Sequence, residues 1–338
     1  MKSLVLILCL PFCLHSLPPA YVWSLGFCEC ADVKPKKRDF EGWMNCMEDR
    51  YVYQPKHYIQ SIYEGSIVWI KADWFLAFVQ DVLPRVKVPF ILIVGATDAT
   101  FYQDYPEKQA LIKAIESPLL IHLFIQNCAY THKKITQIPI GIDLHTSVYW
   151  PERHGSNKTL LPMQQLKELE SICSSLKPTE DRPIKSICDF AFNDSMHGKY
   201  QRHLDFHEDR KTIWSILATK GFATHLSQKV SRKELWQLKG GCAFDISPPG
   251  NGVDCHRTWE SLALGCIVII KDSFLNPLFE DLPVVIVKSW SDISEQSLHQ
   301  WKDAFKGAFT QPKYRKKLLQ STWNELIREK QREYLLKS

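Results

Sequence analysis

Long apolar runs are scarce in this 338-residue sequence, and none reaches the roughly 20 residues that a membrane-spanning helix needs, which excludes a polytopic membrane protein. There is no collagen period, heptad array, internal repeat or low-complexity tract. No C-x-x-C occurs, which weakens zinc-ribbon and thioredoxin-like readings. A Gly-x-Ser-x-Gly elbow, a Walker A lysine loop and a His-Glu-x-x-His are also missing, so the usual hydrolase, P-loop and zincin signatures do not apply. The phosphosulfate loop of a sulfotransferase is lacking as well. Charge of one sign is not in large excess. Lys and Arg number 42 against 37 Asp and Glu, a net charge of +5 that does not mark a nucleic-acid partner.

What is present is ordinary for a soluble globular chain: 45% hydrophobic and 23% charged residues, enough to bury a core without covalent staples. The length suggests about two domains. Met1-Lys2 and the apolar stretch Leu4–Leu14, followed by Ser16, Ala20 or Gly26, read as a secretory signal over residues 1–20. That implies a secretory or periplasmic location. Apolar residues resume at Ala20–Phe27, so the alternative of an uncleaved signal-anchor, with membrane association through this segment, stays open.

Outside Cys9 and Cys13, nine cysteines remain, an odd number that leaves at least one unpaired within the chain. A bridge is expected among Cys28, Cys30 and Cys46, whereas Cys128, Cys242 and Cys266 sit in apolar surroundings suited to buried small hydrophobes. Asn157 and Asn193 open glycosylation sequons.

Strand and helix patterns alternate. Strands are expected at 66–70, 89–95, 119–125 and 135–140, with helices at 73–82 and 109–115. After a Pro-, Ser-, Lys- and Glu-rich connection at 151–183, with a helix over 161–176, alternation resumes. Strands are expected at 184–192, 222–225, 242–246, 266–270 and 282–287, with helices at 210–220, 232–239, 255–264, 295–308 and 313–337. This is an α/β pattern with parallel sheets. It divides into a domain over 21–150, a second over 184–310, and a basic C-terminal helix over 311–338, where eight Lys and Arg face three Glu. Helical spacing puts Tyr314, Leu318, Leu319, Trp323, Leu326 and Ile327 on one stripe, suited to packing across both domains or to a membrane surface.

Chemistry concentrates between Gly241 and Gly265. A strand runs into Ser247-Pro-Pro-Gly-Asn-Gly-Val-Asp254, which empties into a helix. Gly250 and Gly252 permit positive φ and close backbone approach, and the helix start offers free N–H groups. Asp254 is placed to cap that helix, and Arg257 and His256 add cations. Glu260, one turn on from His256, can meet ribose hydroxyls. Trp259 reads as core. The set describes a cradle for a nucleotide diphosphate at the carboxyl end of a strand.

This segment, with Leu262-Ala-Leu-Gly-Cys-Ile-Val-Ile, Leu282-Pro-Val-Val and Trp290-Ser-Asp-Ile, resembles the donor-binding half of exostosin-like glycosyltransferases. Pro89-Phe-Ile-Leu-Ile-Val-Gly-Ala-Thr-Asp98, Gln126-Asn127 and Ile138-Pro-Ile-Gly141 are similar to that family's acceptor-side domain. The match is dense over 240–293 and thinner over 60–145. The resemblance implies an α/β GT-B architecture, two Rossmann-like domains across a cleft, and transfer of a sugar from a nucleotide donor, UDP- or GDP-linked, to a glycan or glycoconjugate hydroxyl. It implies that Ser247, Pro249, Gly250, Asn251, Gly252, Asp254, His256, Arg257 and Arg210 meet the donor diphosphate, and Glu260 the ribose. The stretch after Phe192 does not align with the family.

No Asp-x-Asp occurs, so the diphosphate is expected on fixed cations and peptide N–H groups rather than on a metal ion, with no tightly bound cofactor. For the acceptor side, strand-end placement nominates Asp98 as the base and Asn127 and Asp143, with His145, as partners of sugar hydroxyls. His203 and His207, four apart, lack an evident third metal ligand. The competing reading is a non-catalytic nucleotide- or carbohydrate-binding module of the same fold.

Overall fold

The computed structural model describes residues 21–37, 51–101, 108–156, 158–192, 210–226 and 228–337. Residues 1–20, Cys46, the sequon residues Asn157 and Asn193, and His203 and His207 fall outside these. A short antiparallel ribbon joins β1 (Lys36–Lys37) to β2 (Tyr51–Val52).

The first half is built on a four-stranded parallel sheet in the order β3 (Ser66–Lys71), β4 (Phe90–Gly95), β5 (Leu120–Ile125), β6 (Ile135–Gln137). Every residue of β4 is buried, as expected of an apolar run flanked by strands on both edges and covered on both faces. The expected 73–82 helix is a distorted segment of 3-10, α and π turns over residues 72–85. The expected 135–140 strand pairs only as far as Gln137.

The second half carries a five-stranded parallel sheet, ordered β11 (Val284–Val287), β10 (Ile267–Lys271), β9 (Phe244–Ile246), β7 (Ser186–Cys188), β8 (Ala223–His225). The strand expected at 184–192 is cut to three residues because only these pair with β8 and β9. From β7 the chain first adds β8 on one side, then crosses to add β9, β10 and β11 on the other. The order reverses between β7 and β9, and loops at the carboxyl ends of strands on either side of such a point open a crevice. Two such sheets, with buried side chains such as Ile93, Phe124, Trp259 and Val268 in one cluster running through both halves, fit an α/β GT-B fold.

The connecting helix Pro162–Ser175 starts on proline, whose missing N–H costs nothing there, and buries Leu166, Leu169 and Ile172 on one face. The helix Arg232–Gly240 is capped by Ser231, whose Oγ accepts from the Glu234 N–H at 3.2 Å.

Residues 21–23 meet residues 318–320. The Val22 N–H donates to the Leu318 carbonyl at 2.9 Å, Tyr21 bridges Leu319, and the Trp23 N–H donates to Gln320 Oε1 at 3.2 Å. This pairing breaks the helix expected over 313–337 into Pro312–Lys316 and Gln320–Leu335, with Leu319 extended between them. Trp323 and Ile327 are buried, and Arg328 pairs with Asp32 at 2.8 Å, so the C-terminal helix closes on the first half. Among the described residues no helix is long and apolar enough to cross a membrane, and Val22, Leu25, Phe27 and Cys28 lie in the core. Cys128, Cys242 and Cys266 are buried thiols, as expected.

Candidate active site

The loop after β9 runs along the seam between the halves. A Cβ on Gly252 would stand 2.6 Å from the Asp98 carbonyl oxygen and 3.1 Å from Asn127 Nδ2, so only glycine lets the two backbones approach. Neither Gly250 nor Gly252 has positive φ; both are glycine for space, and at Gly250 the crowding atom is Cys255 Sγ. Gly252→Ala is expected to cost about 1–3 kcal/mol through overpacking, read by urea denaturation. Gly221→Ala, where nothing lies within 4 Å, is the control.

Asp254 does not cap the helix His256–Ala263; Cys255 occupies that position with no side-chain cap. The Asp254 carboxylate instead accepts the Ile140 N–H on Oδ2 and the Trp259 indole N–H on Oδ1, both at 2.8 Å. Its own N–H donates to Asn127 Oδ1 at 3.0 Å, while Asn127 Nδ2 donates to the Thr97 carbonyl at 3.1 Å. Asn127, at φ 48°, is therefore a strut between the halves, with both amide atoms taken and none turned toward a sugar.

Burial pushes the Asp254 carboxyl up to about 6 from an ordinary 3.8, against the lowering effect of its N–H donors. The folded state then holds the proton more tightly than the unfolded chain. This contribution to stability is full below pH 4 and is lost as pH rises through 6. The stability of the native protein relative to Asp254→Asn is thus expected to decline between pH 4 and 7. Urea denaturation across that range checks it, and a flat difference would contradict the shift.

Two cavities that share part of their lining open along the seam. One of about 200 Å³ has Asp98 and Ile140 on one wall and Arg210, Gly250, Asn251 and Arg257 on the other. A second, of about 370 Å³, is lined by Ala96, Thr97, Asp98, His145 and Asn251, with Trp150 and Arg153 farther out. Asp98, Ile140, Asn251 and His256 line both, so Asp98, the base that the sequence nominates, borders each cavity. Ala96, at φ 59° directly after β4, holds a strained backbone at this mouth. Arg153 stacks its guanidinium 4.5 Å from the Trp150 ring centre.

The two arginines fasten the loop. Arg257 donates from Nη2 to the Pro248 carbonyl at 2.6 Å and from Nε to Ser247 Oγ at 3.1 Å. Arg210 donates from Nε and Nη2 to the Pro249 carbonyl and from Nη1 to the Ala191 carbonyl. The loops after β7 and β9 are so tied together at the reversal of strand order. Ser247 faces inward, paired with Thr258 Oγ1 at 2.9 Å. Beneath it, Lys239 bridges Asp189 at 2.9 Å and Asp245 at 3.1 Å. Burial works against that ammonium, but the two carboxylates outweigh it and hold it protonated.

Glu260 does not reach toward the cavities. Its Oε1 pairs with Arg232 Nη2 at 2.6 Å, and its Oε2 accepts the Trp236 indole N–H at 3.0 Å. Arg232, which sequence reasoning missed, also donates to Gln165 Oε1 and the Asp143 carbonyl. Asp143 in turn accepts the N–H groups of His145 and Thr146, at 3.1 and 2.8 Å. Burial raises its pKa, yet His145, His256, Arg232 and His154 outweigh burial and keep the carboxyl below the usual range. No sequence signal marked Arg232, because its partners lie far along the chain.

No protein-family model matches this chain, and no curated protein matches it in sequence. Solved structures resemble it distantly. An E. coli trehalose-6-phosphate structure bound with UDP-2-fluoro glucose is 12% identical, with 87% of this chain and 81% of that chain covered and a TM-score of 0.32. The α,α-trehalose 6-phosphate synthase of Burkholderia multivorans is 12% identical over 87% and 80%, at 0.39. The UDP-forming α,α-trehalose-phosphate synthase of Burkholderia xenovorans is 11% identical over 86% and 84%, at 0.37.

Proposed function

We propose that this chain is a glycosyltransferase, exostosin-like in type, that moves a sugar from a UDP- or GDP-linked donor to a glycan or glycoconjugate hydroxyl. The observation that carries this reading is the pair of adjacent cavities with a shared lining: the loop at the strand-order reversal of one sheet faces Asp98 at a strand end of the other. In this reading the smaller cavity takes the diphosphate, against peptide N–H groups and the positive charge of Arg210 and Arg257, which line it. These groups stabilise charge as it develops on the leaving group. The larger cavity takes the acceptor, with Asp98 positioned to accept the proton of the attacking hydroxyl. Export through residues 1–20 to a secretory or periplasmic compartment belongs to the same proposal.

Donors are tested by thermal shift with a panel of UDP- and GDP-sugars. A true donor at 100 times its dissociation constant adds about 2.7 kcal/mol of stability, and the same donor is turned over when an acceptor is supplied. No shift with any member of the panel would reject the nucleotide-sugar reading. Binding without turnover would instead favour the non-catalytic module, a reading supported by the guanidinium donors already spent on the Pro248 and Pro249 carbonyls.

A further inference from the structure

We infer that Asp143, His145 and His256 form a binding site for a divalent transition-metal cation at the seam between the two halves. One ligand atom from each lies within 4.8 Å of the others. Asp143 Oδ1 and His145 Nδ1 are 3.2 Å apart, close to the roughly 3.3 Å that separates two ligands bound to one tetrahedral ion at 2.0–2.1 Å. His256 brings the third ligand from the opposite half.

The surroundings suit this role. His256 Nδ1 lies 2.7 Å from the Gly141 carbonyl, which only accepts, so Nδ1 is the nitrogen that donates there and Nε2 is the one left to ligate a metal. A carbonyl holding the far nitrogen is the usual support of a ligating histidine. The Asp143 carboxylate is oriented by two backbone N–H groups, and its loop is held by Arg232 and Glu260. Asp143 and Glu260 set two carboxylates against the one permanent cation of Arg232, a balance that admits a dication. Two imidazoles and one carboxylate are the donor set of three-ligand zinc sites that leave a position open. His145 and His256 both line the 370 Å³ cavity, the space assigned to the acceptor.

The test needs no sugar nucleotide, so its failure and the failure of the transferase reading are separable. The full chain, stripped with a chelator and dialysed against Zn²⁺, is expected to hold one ion. Co²⁺ in its place should give a ligand-field spectrum without a sulfur-to-metal charge-transfer band, which separates this site from the cysteines. His145→Ala and His256→Gln are each expected to weaken binding by at least about tenfold, whereas exposed His299→Ala leaves it unchanged, with circular dichroism confirming that each variant is folded. If one variant fails to fold, the other decides. Zinc well below one per chain, a thiolate band with Co²⁺, or native affinity in a folded His145 or His256 variant would overturn the assignment.

Discussion

Arg232→Leu is expected to cost about 3–5 kcal/mol of stability, the range for leaving a buried charge without its partner. The side chain is 7% exposed and that of Glu260 13%, so water does little to replace the lost ion pair. The substitution also strips donors from Gln165 Oε1 and the Asp143 carbonyl, in a region where connecting helix, first half and second half meet. Urea denaturation measures the loss. A cost under about 1 kcal/mol, typical of an exposed pair, would show that this cluster does not lock the halves. Glu260→Ala belongs with it and should lose stability as well as any activity, because the carboxylate serves Arg232 and Trp236.

Arg257→Ala is expected to lower donor turnover by a factor of about 10²–10³, equivalent to some 2.7–4 kcal/mol of transition-state stabilisation. Two effects combine: a cation leaves the 200 Å³ cavity, and the loop loses the fork that holds the Pro248 carbonyl and Ser247 hydroxyl. Arg257→Lys should restore little, since a single ammonium cannot reproduce the planar two-point grip. Full turnover in Arg257→Ala, measured with whichever donor the thermal screen identifies, would remove the loop from the catalytic account.

Local pattern carried the sheets. The unbroken apolar run of β4 and the glycine-proline loop ahead of a helix announce themselves within a dozen residues, and both stand where the sequence placed them. Side-chain roles were legible only where the partner was close by. Glu260 looked like a ribose ligand because nothing near it suggested Arg232 or the Asp143 backbone, and Asn127 looked open because Asp254 lies far along the chain. Gly252 was recognised as a site of close approach, but the approaching group is the Asp98 carbonyl of the other half. The unbroken helix expected after Lys313 failed for the same reason, since Leu319 is drawn out by Tyr21, far away in sequence.

That last contact bears on how the molecule is made. With Val22 bonded to Leu318 and Trp23 to Gln320, residues 21–23 cannot reach their final place until residue 320 has left the ribosome. Until then this flank of the first half stays uncovered. A chain released before residue 318 would lack this clasp.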